Sequence, residues 1–164
     1  MKTKETLRLE QAILNHFDKI GTLACVEVKI GNTTSKSILT DKTEIVDVMV
    51  YEPTTTVRCL EIKTSLSDFK SKQALSFYGD YNYLVIPDYL PDQIKGLDAF
   101  KDVLWNGIGV ITINETSKLT TYRKAKKKTL SFGTRAILLE SMTRSLARDA
   151  KKYYQHYYKR LENK

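Results

Sequence analysis

The chain has 164 residues, 41% hydrophobic and 28% charged, with a formal net charge of +8. That suits one folded domain with a real core and excludes a disordered chain. No apolar run approaches the roughly 20 residues of a membrane span, and the opening MKTKETLRLEQ is too polar for a secretory signal, so a cytoplasmic protein with no membrane partner is expected.

Lys4 to Lys19 reads as a helix, with Leu9, Ala12, Ile13, Phe17 and Ile20 at helical spacing and Gly21 as its stop. Leu23 to Ile30 reads as a strand, Gly31 to Lys42 as a polar loop, and Glu44 to Tyr51 (EIVDVMVY) as a second strand. After a turn at Glu52-Pro53-Thr54-Thr55, Thr56 to Lys63 (TVRCLEIK) makes a third, so that the last two strands pair as an antiparallel hairpin. Cys25 and Cys59 fall inside these apolar runs and read first as free buried thiols, with a disulfide between neighbouring strands as the alternative, and the two Cys and two His are too scattered for zinc.

Thr64-Ser65 through Tyr78 is expected to be helical, capped by Ser65 or Ser67 and closed by Gly79. Asn82 to Pro87 is a short buried strand reached by a crossover, and Tyr89 to Val103 a mixed segment with a short helix. Ile108 to Asn114 and Lys118 to Lys124 form a hairpin, and Phe132 or Thr134 to about Leu161 is the longest helix. Its expected inner face is Leu138, Met142, Leu146, Ala150, Tyr153 and Tyr157. The order αβββαβ, then ββα, predicts an α/β (mixed α+β) fold, a mixed central sheet with helices on both sides. Residues 1–164 read as a single domain, a core over 1–117 followed by a basic hairpin and helix over 118–164.

Charged groups in the apolar strands are the first sign of chemistry. Asp47 interrupts IVDVMV, and Glu61 with Lys63 closes CLEIK. An ionised carboxylate in such a strand is costly unless paired or bound to a metal. Glu61 and Lys63 share one face by strand alternation, and hairpin pairing brings Asp47 within reach. Two carboxylates, the Ile62 carbonyl and substrate phosphate suit Mg²⁺, with Mn²⁺ as its substitute. Lys63 would orient the attacking water or stabilise developing charge.

These residues carry a resemblance. VDVMVYEPTTTVRCLEIKTSLSDFKSK resembles the signature of the PD-(D/E)xK, or restriction-endonuclease-like, superfamily, with Asp47 as the first acid and Glu61-Ile62-Lys63 as the ExK element. Within it the chain is most similar to MmcB-type DNA-repair proteins, through EIK, Ser65 to Phe69, Tyr78 to Tyr81, and Leu84 to Pro87. The resemblance implies an αβββαβ nuclease core, metal-dependent hydrolysis of DNA and a role in DNA metabolism; some members are inactive and only bind. It further implies a helix glutamate completing the metal site, Glu10 ahead of Glu5, and Gln73 as a helix glutamine near the attacking water. A solvated helix position is the ordinary alternative for both.

Charge is unevenly placed. Through Ser117 there are 13 basic and 16 acidic residues, and from Lys118 onward 14 basic and 3 acidic. A polyanion is the expected partner, DNA first with RNA left open. Arg123, Lys124, Lys126, Lys127 and Lys128 precede the last helix, which carries Arg144 and Arg148, while Lys36, Lys42, Lys70 and Lys72 sit nearer the carboxylates. Such residues grip phosphates without reading sequence. Tyr153, Tyr154, Tyr157 and Tyr158 read first as core or interface residues, and less often as stacking platforms for unpaired bases. A homodimer is compatible with the chain.

Overall fold

The computed structural model describes residues 2–30, 44–71 and 75–162. The elements are α1 (Lys4–Phe17), β1 (Leu23–Ile30), β2 (Glu44–Tyr51), β3 (Val57–Ile62), α2 (Leu66–Phe69), β4 (Tyr81–Pro87), α3 (Leu90–Ile94), α4 (Asp98–Trp105), β5 (Gly109–Ile113), β6 (Leu119–Arg123) and α5 (Phe132–Glu162). One six-stranded sheet runs in the order β1-β2-β3-β4-β5-β6. β3–β4 and β4–β5 are parallel and the other pairs antiparallel, so the chain is the mixed α+β fold its strand order predicts. Among the described residues, no helix is long and apolar enough to cross a membrane.

Helices cover both faces. α1 is capped by Thr3, whose side chain accepts the Thr6 N–H at 3.1 Å, and it buries Leu9, Ala12, Ile13 and Phe17 against Val48, Val50, Leu60, Ile62, Val85 and Ile111. Ile20, expected on that stripe, lies beyond the helix and is fully exposed. On the other face α5 covers Cys25, Val28, Val46, Met49 and Cys59 with Leu138 and Met142, and α3 with α4 covers Leu84, Ile86 and Val110. Both cysteines are buried free thiols.

Two expectations need correction. Among the described residues of the helix expected from Thr64 to Tyr78, only Leu66–Phe69 are helical, capped by Ser65, whose Oγ accepts the Asp68 N–H at 3.1 Å. Leu75 to Tyr78 belong to no helix, and polar groups of Ser76 and Tyr78 have tertiary partners instead. Ser76 N–H donates to Glu61 at 3.2 Å, while Ser76 Oγ and Tyr78 Oη donate to Glu44 at 2.9 and 2.8 Å. Gly79 therefore caps nothing; it lets the chain pass against β3, where a Cβ would meet the Val57 carbonyl at 2.8 Å. In α5, Leu138 and Met142 are buried as expected, but Leu146 lies off the buried face that continues through Ser141 and Ser145, and Ala150, Tyr153 and Tyr157 are exposed beyond the last buried residue, Ser145.

Candidate active site

The β2–β3 ladder extends from Tyr51–Val57 to Val48–Leu60 and stops one residue short of Asp47. Past that point the Asp47 side chain replaces the ladder, Oδ2 accepting the Ile62 N–H at 2.8 Å. On its other edge the β1–β2 ladder skips the opposed pair Glu27 and Asp47, and Glu27 has φ +51°. Residues two apart on a strand normally share a face. Here Val26 and Val48 pack on the α1 side while Val28 and Val46 pack on the α5 side. Alternation is thus reversed on both strands across Glu27 and Asp47 while their register is kept, and backbone strain of the kind seen at Glu27 concentrates beside functional sites.

Into this opening come the three residues singled out from the sequence. Glu61 and Lys63 are buried, at 4% and 3% exposure, and Asp47 is half-buried. Burial pushes the Glu61 carboxyl up to about 9, and the neighbouring Asp47 adds to the rise against the Ser76 N–H and Lys63. Burial also raises Asp47, opposed by the Ile62 N–H, Lys63 and Lys2. Lys63 Nζ lies 3.5 Å from Asp68 Oδ1, and Asp68 accepts the Thr64 N–H at 2.9 Å. A carboxylate pair with one ammonium thus forms where β2 and β3 part.

Glu10 reaches this group through another residue. It is buried on α1 and ion-paired with Lys2, whose ammonium also lies 2.9 Å from Glu27 and acts on Asp47. Glu5, the other helix glutamate, is bound instead by Arg8 at 2.7 Å. Gln73 and Lys72, with Lys36 and Lys42, lie outside the described residues.

The basic residues divide. Lys70, Arg123, Lys124, Lys126, Lys127 and Lys128 are exposed, and the Lys128 N–H ties that run to the Asp80 carbonyl at 2.7 Å. Arg144 pairs with Glu140 on its own helix. Arg148 is occupied by Asp149 and by the Glu27 and Val26 carbonyls at 3.1 and 3.3 Å, so it braces the irregular strand. Sequence reasoning passed over Glu27, Lys2 and Ser76. Glu27 breaks an apolar strand just as Asp47 does and could have been found by that signal; Lys2 and Ser76 carry none.

Among the described residues, no three His, Cys, Asp or Glu side chains gather tightly enough to hold a metal by themselves. A mixed sheet with helices on both faces, parted at one strand pair around a buried glutamate, a half-buried aspartate and a buried lysine, defines the class of protein. The SPO1766 protein of unknown function from Silicibacter pomeroyi is similar to it in structure, with a TM-score of 0.65, 15% identity and 94% of each chain covered. At that identity the likeness shows the fold alone. No family model and no curated protein matches the chain.

Proposed function

We propose that this chain is a metal-dependent phosphodiesterase that hydrolyses DNA, of the PD-(D/E)xK type its sequence resembles, acting in cytoplasmic DNA metabolism. One observation carries the reading: the half-buried Asp47 lies beside the buried Glu61, and burial together with that second carboxyl drives Glu61 up to about 9. Mg²⁺ needs few protein ligands because it keeps several waters, so two carboxylates and the Ile62 carbonyl are a sufficient donor set. When bound, the cation neutralises charge on the phosphate and makes a water more acidic.

The chain's own groups do the rest. The Ile62 N–H fixes the Asp47 carboxylate, and the Ser76 N–H holds Glu61 from the far side. Lys63, buried and steadied by Asp68, places a positive charge beside the carboxylates, where it would orient the attacking water and offset charge growing on phosphorus. Glu10 would join as a further oxygen ligand once Lys2 releases it.

A second reading, a catalytically inactive nucleic-acid-binding module, is favoured by that same Lys2, which already neutralises Glu10 and Glu27. Incubation with duplex, single-stranded and branched DNA in Mg²⁺ or Mn²⁺ separates the two. Cleavage lost in Glu61→Ala with binding retained supports hydrolysis; binding without any cleavage supports the module.

A further inference from the structure

We infer that the projecting half of α5 is an arm for an unpaired nucleic-acid strand, leading outward from the rim of the Asp47–Glu61 site; this rests on the phosphodiester reading above. α5 has 31 residues, about 46 Å at its rise per residue, yet its buried side chains Leu138, Ser141, Met142 and Ser145 all lie in the first half. From Lys151 to Glu162 every residue is exposed. A helical stretch of that length without packing is marginal in water. Such a surface is one that a partner covers.

The chemistry of the arm selects the partner. Ala147 to Glu162 holds five basic and two acidic residues, so a second copy would set like charges together while a polyanion is complementary. Tyr153, Tyr154, Tyr157 and Tyr158 stand 48% to 67% exposed among these cations. Aromatic faces beside a positive track bind unpaired strands whatever their sequence, because every base has a face to stack. Duplex bases are already stacked and would leave the rings idle.

Position ties the arm to the site. Arg148 grips the Val26 and Glu27 carbonyls, and the Glu27 carboxylate, held low first by Lys2, is held lower by Arg148 and Lys152. The three- and four-residue spacing of buried Leu138, Ser141 and Ser145 continues to Asp149, Lys152, His156 and Lys159. The face that covers the sheet therefore becomes, past its edge, a mainly basic face with the tyrosines beside it. From Arg148 to Glu162 is about 21 Å, room for a few nucleotides.

The test is fluorescence anisotropy of the full chain in EDTA with a labelled thymidine oligonucleotide of about a dozen residues and its duplex. Tyr153→Ala with Tyr157→Ala should weaken unpaired binding at least about tenfold, phenylalanine at both should keep it within about twofold, and duplex binding should not move. Unchanged unpaired binding in the alanine variant overturns the arm, as does an equal loss on duplex. So does a dimer, seen by sedimentation, that the alanines dissolve. Without a cation, binding is read apart from cleavage. Tyrosine-dependent binding by a protein that never cuts leaves the arm and removes hydrolysis; cutting with tyrosine-independent binding does the reverse.

Discussion

Asp80 and Glu61 are buried almost equally, at 3% and 4% exposure, and the fold treats them in opposite ways. Burial opposes the charged form of both. At Asp80, Arg135 holds each oxygen at 2.9 Å and the Val57 N–H donates at 2.8 Å, which outweighs burial and leaves the carboxyl below its ordinary range. Glu61 has the Ser76 N–H at 3.2 Å and a second carboxyl beside it, and it rises to about 9. Asp80 is a finished joint that pins α5 to the β3–β4 connection. At Glu61 the Lys63 charge and the Ser76 N–H only partly offset burial, and the proposed cation site rests on that imbalance.

Breaking each acid in turn tests this contrast. The largest effect belongs to Glu61→Gln or Asp47→Asn, which should lower Mg²⁺-dependent DNA cleavage on the order of 10²–10³-fold in a gel assay. Next, Arg135→Ala should cost about 3 kcal/mol in a urea melt, because it strands a buried charge. Asp80 has a folded value below its unfolded one, so this contribution is present above about pH 4 and fades as pH falls through the folded value. A loss that persists unchanged into acid would show that the Asp80 charge is not its source.

Glu61→Gln should do the opposite to stability. The folded value of Glu61 lies above its unfolded one, so the folded wild type binds the extra proton and loses stability as pH rises from about 4.5 toward about 9. Without cation the glutamine variant should therefore be more stable by roughly 2 kcal/mol at pH 7, with a gap that widens with pH and closes in acid. A gap independent of pH would contradict the account. The smallest change belongs to Lys2→Ala, worth under about 1 kcal/mol because Lys2 is partly exposed. It should strengthen Mn²⁺ binding severalfold in a calorimetric titration by freeing Glu10 and Glu27; weaker binding would make Lys2 a support of the site.

Much of this site was legible in the sequence because strand alternation is a strict rule. Glu61 and Lys63 had to share a face, and a turn at Pro53 had to return β3 beside Asp47. The reversal at Glu27 was not legible, since a residue at φ +51° inside LACVEVKI leaves the apolar count unchanged. Nor was the short α2: Leu66 to Tyr78 has helical periodicity, but a buried carboxyl claims the Ser76 N–H and tertiary demand overrides propensity. In α5 the helical spacing of Leu138, Met142, Leu146, Tyr153 and Tyr157 suggested one inner face, yet only Leu138 and Met142 are buried, because periodicity does not say how far a packing partner extends.

The most direct test of the carboxylate pair is a calorimetric Mg²⁺ titration near pH 7 in buffers of different ionisation heat, which counts protons released. Saturable binding that expels about one proton per cation and disappears in Glu61→Gln is expected. Absence of binding in the wild type, or binding that survives Glu61→Gln with no proton released, would contradict it.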